Sequence, residues 1–390
     1  FGGMKSVLYT SVLQTPILLL GSLIILVLGF KELGGWDEMM RVCGAVTVND
    51  YGDTMTNLIR SNDDANFPWL GALIGSAIIG FWYWCTDQFI VQRVLSGKNE
   101  MEARRGTIFG AYLKLLPVFL FLIPGMIAFA LHQKYIGAGG EGFLPMLANG
   151  TANADAAFPT LVAKLLPAGV KGLVVCGILA ALMSSLASLF NSSAMLFTID
   201  FYKRFKPETP EKKLVGIGQI ATIVIVVLGI LWIPIMRSVG DVLYTYLQDV
   251  QSVLAPGIAA AFLLGICWKR TSAQGGMWGL ISGMVIGLTR LGAKVYYSNA
   301  GEVADSTFKY LFYDMNWLFF CGWMFLFCII VVIVVSLATE APTAEKIQGL
   351  VFGTATKEQK AATRASWNHW DIIHTVIILA ITAAFYWYFW

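Results

Sequence analysis

Nine predominantly apolar runs of about 20 residues or more distinguish this chain, and they limit what it can fold into. Because about 20 residues at 1.5 Å of rise each cross the hydrocarbon core of a bilayer, each run predicts a membrane-spanning helix. The predicted spans are approximately 7–30, 70–95, 108–131, 170–197, 214–236, 243–268, 275–293, 317–337 and 372–390. Charged residues make up only 13% of the chain, about half of the roughly 25% found in a soluble domain. We therefore predict an all-α membrane protein with about nine transmembrane helices in a single integral-membrane domain.

The charges, cysteines and histidines exclude several classes of protein. The 27 basic and 24 acidic residues nearly balance, so the chain lacks the basic surface that nucleic-acid binding needs. Its six cysteines show no spacing typical of a disulfide framework or a metal site, and His132, His369 and His374 are all predicted to lie in loops or near helix ends. The sequence contains no glycine-rich phosphate loop and no carboxylate pair in a catalytic context. We therefore predict that the protein is not an enzyme and does not bind nucleic acid.

The distribution of Lys and Arg orients the predicted helices. Outside the spans, fifteen of these residues fall on the side that holds the N-terminal stub and nine on the other. The more basic side faces the cytoplasm, in a plasma membrane or a bacterial inner membrane. Two long external loops, at about 31–69 and 132–169, then include amphipathic stretches such as 159–166. The chain opens Phe1-Gly2-Gly3 without Met and its first span follows almost at once, so we expect it to lack its own beginning.

Lys114 lies inside the third predicted span, with apolar residues on both sides. A charge at the membrane centre costs roughly 2.5 to 3.5 kcal/mol on the insertion scale, so it is expected to serve a function. The alternative is a lysine that extends to the cytoplasmic interface, because Lys114 lies only about six residues into its span.

The second span has an aromatic cluster that runs directly into polar residues, with the sequence GFWYWCTDQ at 80–88. Its apolar half is interrupted by Gly71, Gly75 and Gly80. This pattern is typical of a broken transmembrane helix that offers backbone groups and ring faces to a solute. An interfacial belt of aromatic residues would also supply Trp and Tyr, but the polar run inside the span favours a cavity.

Small and hydroxylated residues gather in the fourth span, where Ser184 and Ser185 are adjacent and Ala181 lies one turn earlier on the Ser184 face. The hydroxyls offer hard, uncharged oxygens, which suit a weakly held monovalent cation. Close packing of helices enriches the same residues, and on composition alone it is the better explanation.

The sixth and seventh spans also contain candidate residues. Gln248 is a candidate ligand for solute hydroxyls, and the sequence Pro256-Gly257 after it predicts a break in the helix. In the seventh span, Gly279, Gly283 and Gly287 predict close helix packing.

Several of these strings occur together in a recognisable order and spacing. They are FWYWCTDQFIVQR at 81–93, YLKL at 112–115, LMSSL at 182–186, FTIDFY at 197–202 and ICWKR at 266–270. Together they closely resemble the sodium/glucose cotransporter branch of the sodium:solute symporter family. The family signature also runs from Gly265 through Arg270 to Gly283, with Gly276 where that pattern has Ala. The resemblance covers essentially the whole chain.

The resemblance implies a LeuT-like core of two inverted five-helix repeats. Residues 1–30 would be the last helix of the first repeat, 70–268 the second repeat, and 275–390 three additional helices. Gln248, Lys114 and Trp84 would bind a sugar, with Tyr83 at the inner gate. Ala181, Ser184 and Ser185 would hold sodium, so the packing explanation for the two serines gives way.

Three positions depart from the family pattern. Gly80 stands where family members have a polar side chain that reaches the sugar, so the identity of the sugar is left open. Ser11 stands in place of a usual Asp, and Ala187 in place of a Thr that accompanies a second sodium site. We therefore predict one sodium ion per sugar.

The implied function is a secondary active symporter that couples inward sodium movement to uptake of a glucose-like or galactose-like sugar by alternating access. Na⁺, the sugar and the lipid bilayer are the implied partners. A symporter of myo-inositol or another polyol is the alternative within transport. A sugar-gated sensor or cation leak is the alternative from another class, and it would pass current without accumulating sugar.

Overall fold

Helices are the main regular structure in the part of the chain that the structure describes. The computed structural model describes residues 3–147, 150–239, 243–300 and 304–390. Within these ranges it contains α-helices, short π-helical and 3₁₀ segments, and three isolated β-bridges but no strand. The predicted all-α class is therefore confirmed.

The described α-helices follow one another in chain order. They are α1 (Gly3–Leu33), α2 (Trp36–Gly44), α3 (Trp69–Cys85), α4 (Gln88–Leu95), α5 (Glu100–Pro117), α6 (Ile123–Gly137), α7 (Ala157–Leu165), α8 (Ala168–Met195), α9 (Lys203–Phe205), α10 (Glu211–Val239), α11 (Leu243–Cys267), α12 (Ala273–Asn299), α13 (Thr307–Lys309), α14 (Trp317–Ala338), α15 (Ala344–Ile347), α16 (Lys357–Ala365) and α17 (His369–Tyr388). Segments of π-helix occupy Val118–Leu122, Leu196–Tyr202 and Tyr310–Asp314, and a 3₁₀ turn occupies Ala154–Ala156.

Helices occupy all nine predicted spans. Among the described residues, seven helical stretches are long and apolar enough to cross a membrane, and α3 with α4 forms an eighth if the bent pair is one span. The remaining predicted span, the seventh along the chain, is α12, a helix of 27 residues that carries the cations Arg290 and Lys294. These charges lower its apolar character, and their partners are described with the candidate site below.

The described residues divide into two compact units. The first comprises Phe1–Asn57 and Gly110–Ile233, and the second comprises Leu58–Phe109 and Pro234–Trp390.

In the first unit, α1 packs against α6 and α8, and the loop helices α2 and α7 cover the same apolar core. Helix α7 confirms the predicted amphipathic stretch, since Leu161 is fully buried while Lys164 stays exposed. Cys43 of α2 is also fully buried. Burial raises the pKa of its thiol to about 11, so it stays protonated and packs as an apolar side chain.

In the second unit, α11, α12 and α14 pack against one another, and α3 lies against α11 and α14. Glycines allow the closest approach. A methyl group added at Gly283 would lie 2.9 Å from the Cα atom of Gly257, and one added at Gly287 would lie 2.5 Å from the carbonyl oxygen of Val253. The predicted packing role of the glycines in α12 is confirmed.

Large apolar side chains remain exposed on the predicted spans. On α10, Ile223, Leu228 and Leu231 are each 60% exposed or more. An exposed apolar surface of this extent is unfavourable in water and is expected where a helix faces lipid. The protein is therefore a multi-pass membrane protein.

Substitution of Gly287 tests the close packing of α11 with α12. Gly287→Ala forces the Val253 backbone to move, and we expect it to cost about 1 to 3 kcal/mol, the usual cost of overpacking. Gly276→Ala on the same helix is the matched control, because a methyl group there meets no atom within 4 Å. The measurement is the thermal unfolding midpoint of the purified protein in detergent. Equal midpoints for the two variants would contradict the close approach.

Candidate functional site

The second predicted span is broken, as its sequence predicted. Helix α3 ends at Cys85, α4 begins at Gln88, and the two axes differ by 49°. The Thr86 hydroxyl donates to the Trp82 carbonyl at 2.7 Å, and the Asp87 carboxylate accepts from the Phe89 amide at 2.8 Å. The Asp87 side chain thus caps a backbone amide at the start of α4, while the Trp82 carbonyl also accepts from the backbone amides of Thr86 and Asp87.

The aromatic pair Tyr83 and Trp84 lies immediately before this break. Their ring centroids are 5.3 Å apart and their planes nearly perpendicular, an edge-to-face contact that fixes both rings. Trp82 packs on the core around Ile79, whereas Trp84 remains 48% exposed. The Trp84 ring therefore offers surface to which a solute can bind.

Gly80, one turn before this aromatic pair, is surrounded by open space. A methyl group added there would meet no atom within 4 Å. Glycine at this position is therefore not required by packing, and the room that a longer polar side chain would fill stays open.

Gln248 lies near the start of α11 and is half-buried. Its side chain makes no hydrogen bond to any described residue, although an amide offers two donors and an acceptor. A half-buried amide of this kind is suited to hydroxyl groups of a solute.

The helix break predicted at Pro256-Gly257 is wrong. Helix α11 continues through both residues to Cys267. The proline removes the usual donor only for the carbonyl four residues earlier. Burial of Pro256, and the contact of Gly257 with Gly283, hold the helix together at this point.

Lys114 belongs to the first unit and is exposed. It lies three residues before Pro117, where α5 gives way to the π-helical segment Val118–Leu122. Segments of π-helix inside a longer helix occur frequently at functional sites. Tyr83, Trp84 and Gln248 belong to the second unit.

The residues predicted to bind sodium lie on α8 in the first unit. Ala181 and Ser185, one turn apart, line a cavity of about 280 Å³. Its other walls are the apolar side chains Leu18, Phe121, Phe158, Ile178 and Leu182. Ser184 is 9% exposed and lies beside Ser185 on the same turn. The structure thus brings Ala181 and Ser185 to one cavity and buries Ser184 next to it.

Ser185 brings an uncharged hydroxyl to this cavity, and the residues that line it carry no charge. Such oxygens suit a monovalent cation, whereas the usual divalent sites of proteins include carboxylates. The cavity is several times larger than the roughly 30 Å³ that a water molecule occupies in the liquid, so it has room for an ion together with water.

Two positions bear on a second cation. Ala187 is exposed on α8 and offers no side-chain oxygen. The side chains of Thr10 and Ser11 lie outside the part of the chain for which the structure describes side chains.

Sequence reasoning missed a cluster of charges in the second unit. The Asp249 carboxylate lies 2.6 Å from the Lys294 ammonium and 3.5 Å from the Arg290 guanidinium. Arg290 is fully buried. A signal was available, because a cation inside a predicted span requires an acidic partner and Asp249 is the acidic residue of the neighbouring span.

Comparison with known proteins places these observations in a family. The model of the sodium:solute symporter family matches residues 1–283. The sodium/mannose cotransporter SLC5A10 of Bos taurus is 34% identical over 100% of this chain and 68% of its own length. The sodium/myo-inositol cotransporter 2 of Homo sapiens is 35% identical over 90% of this chain and 54% of its own length. The sodium/glucose cotransporter 1 of Ovis aries is 37% identical over 87% of this chain and 54% of its own length. The chain therefore spans about half to two thirds of the length of these relatives.

A solved structure shows the fold. A Na⁺-coupled sialic acid symporter in a substrate-bound, outward-open state aligns with 88% of this chain and 64% of its own, with a TM-score of 0.62 and 22% sequence identity. The predicted LeuT-like fold class is confirmed by this likeness.

Substitution of Asp87 tests the break between α3 and α4. Asp87→Ala removes the cap of α4, which typically costs about 0.5 to 2 kcal/mol, so we expect a thermal midpoint several degrees lower. Asp87→Asn is the matched control, since an amide oxygen can still accept from the Phe89 amide. If both variants lose the same stability, the charge of Asp87 matters rather than its hydrogen bond.

Proposed function

We propose, from the premise that the chain belongs to the sodium:solute symporter family, that the protein is a secondary active symporter. It couples inward movement of sodium to uptake of a sugar by alternating access. The names of the three relatives each pair sodium with a polyhydroxylated solute, namely mannose, myo-inositol or glucose. The observation that carries the proposal is that Ala181 and Ser185, selected as sodium ligands from the sequence, line one cavity.

Sodium would bind to the hydroxyls of Ser184 and Ser185 and to the Ala181 carbonyl. This carbonyl lies one helical turn before Ser185, and its second lone pair is available to an ion. The walls of the cavity are mostly apolar, and an apolar surrounding strengthens ion-oxygen attraction. The uncharged ligand set keeps binding weak enough for release in each transport cycle. With Ala187 lacking an oxygen at the second position, the proposed stoichiometry is one sodium ion per sugar.

The sugar would be held by an amide and a ring. The Gln248 amide would donate to and accept from sugar hydroxyls, and the exposed face of Trp84 would cover the apolar face of the sugar ring. Tyr83 holds Trp84 edge-to-face and would act at the inner gate. The role of Lys114 as a sugar ligand is proposed from the family resemblance.

The sodium gradient supplies enough free energy for accumulation. Entry of one sodium ion across 100 mV releases roughly 2.3 kcal/mol, and each tenfold concentration gradient adds roughly 1.4 kcal/mol. The sum sustains an accumulation of the solute on the order of several hundredfold. Coupling requires that sodium favour the outward-open state that also binds the sugar, which is a linkage between two sites.

A polyol such as myo-inositol is the second candidate substrate. Gly80 has open space around it and no side chain to hydrogen-bond a solute, so it does not discriminate among patterns of hydroxyl groups. One relative is a myo-inositol cotransporter. A competition assay, in which glucose, galactose, mannose or myo-inositol is added during sodium-driven uptake, distinguishes these substrates.

The proposed organisation keeps residues 1–30 in a first repeat, 70–268 as a second repeat and 275–390 as additional helices.

Substitution of Gln248 tests sugar binding. In the full-length protein in proteoliposomes, Gln248→Ala leaves sugar hydroxyls without a partner, and we expect the half-saturating sugar concentration to rise about 10- to 100-fold. Gln274→Ala is the control, since Gln274 is an exposed glutamine at the start of α12. Uptake that is unchanged in Gln248→Ala would remove this residue from the site.

Substitution of Ser185 tests sodium binding. Ser185→Ala removes one hydroxyl from the cavity, and we expect uptake to lose its dependence on sodium. The control is Ser193→Ala on the same helix, two turns from the cavity. Uptake is measured against sodium concentration at constant ionic strength. Equally sodium-driven uptake in Ser185→Ala would place the cation elsewhere, and sugar-evoked current without accumulation would indicate a sensor or leak.

A further inference from the structure

The charge cluster formed by Asp249, Arg290 and Lys294 lies directly beside the candidate sugar ligand. Asp249 follows Gln248 on α11, while Arg290 and Lys294 lie one turn apart on α12. The cluster therefore joins these two helices next to Gln248. Neither the family signature nor the candidate sites above give it a role.

The contacts of Arg290 account for its burial. Its guanidinium donates to the Met315 carbonyl at 2.8 Å and to the Leu311 carbonyl at 3.3 Å, and it lies 4.0 Å from the centre of the Phe320 ring. With the Asp249 carboxylate 3.5 Å away, these groups replace part of the water that a fully buried cation has lost, while the Arg290 Nε has no partner among the described residues. Arg290 thus connects α12 to α11, to the π-helical segment Tyr310–Asp314 and to α14.

The remainder of the interface between α11 and α12 includes close contacts through glycine. Gly257 contacts Gly283, and Gly287 contacts the Val253 backbone. Backbones that meet through glycine lack the large side chains that interlock in other helix pairs. A charge pair does fix the position, because a small rotation or shift separates the partners and leaves charges buried without a counter-ion.

We propose that Asp249, Arg290 and Lys294 are positioning residues that set the rotation of α11 and so direct the Gln248 side chain at the solute. Adjacent helical residues point about 100° apart, since a helix has 3.6 residues per turn. Holding the Asp249 carboxylate on α12 therefore fixes the direction in which Gln248 points. This proposal rests on the proposed function, which gives Gln248 its role in binding.

The test compares half-saturation and maximal rate in the full-length protein. Asp249→Asn keeps the shape of the side chain and removes its charge. We expect the half-saturating sugar concentration to rise at least fivefold, while the maximal rate and the half-saturating sodium concentration stay within twofold of the wild type. Asp305→Asn is the matched control, because it breaks an exposed pair with Lys309 of similar length, 2.8 Å, in the same unit.

Two further measurements separate positioning from stability. Exchange of the partners, Asp249→Lys with Lys294→Asp, is expected to restore at least half of the lost sugar affinity. In a background whose exposed cysteines Cys85, Cys176 and Cys267 are replaced by serine, the thiol of Gln248→Cys is alkylated by a maleimide. Adding Asp249→Asn is expected to change the rate of that alkylation at least threefold.

The outcomes distinguish this proposal from the proposed function. If the wild type shows no sodium-driven sugar uptake, the proposed function fails. The positioning role is overturned if the wild type transports sugar and Asp249→Asn leaves two quantities unchanged. These are the half-saturating sugar concentration of the wild type and the alkylation rate of Gln248→Cys. Should Asp249→Asn not fold, Lys294→Gln takes its place, because Lys294 is 22% exposed and Arg290 remains beside Asp249. Equal losses in sugar half-saturation and maximal rate would indicate a structural role only and would also overturn the proposal.

Discussion

The hydrocarbon core of a membrane offers no water to hydrogen-bonding groups, so each polar group within a spanning segment needs a partner in the protein. Partners of this kind are present at two places in the second unit. At the break between α3 and α4 the Asp87 carboxylate accepts from the Phe89 amide, and the Arg290 guanidinium donates to two carbonyls and lies over the Phe320 ring. The Gln248 amide differs from these groups, because it makes no hydrogen bond to a described residue. It is therefore a group that a solute can satisfy.

The spans could be predicted from the sequence because their signal is local. Apolar runs located all nine helical stretches, and the glycines of 71–80 followed by a polar triplet located the broken one. The prediction at Pro256 failed for a tertiary reason. A proline disfavours a helix locally, but the contact of Gly257 with Gly283 and the burial around it sustain α11. A sequence pattern shows that a proline disfavours a helix. It does not show the contact with another helix that offsets this effect.

The candidate site could be predicted only in part for the same reason. Ala181 and Ser185 share a helix face, so their spacing brings them together. The family resemblance identified sodium as the ligand expected there. The cavity walls Leu18, Phe121 and Phe158 come from three distant segments, and no periodicity in the sequence connects them. Likewise Asp249 and Arg290 are each visible as charges within a span, but their pairing depends on how α11 and α12 are aligned, which the sequence alone does not specify.

Stability is a poor explanation for the buried charges between α11 and α12. Removing Asp249 and Arg290 from water carries a penalty that their attraction repays only in part, and apolar side chains of similar volume often stabilise a protein as well or better. Apolar groups, however, attract each other over a range of angles. An ion pair tolerates little rotation. Because Gln248, the neighbour of Asp249, is the proposed solute ligand, fixing the direction of its side chain has a functional value that packing energy does not supply. This favours positioning, rather than stability, as the reason for the charge cluster.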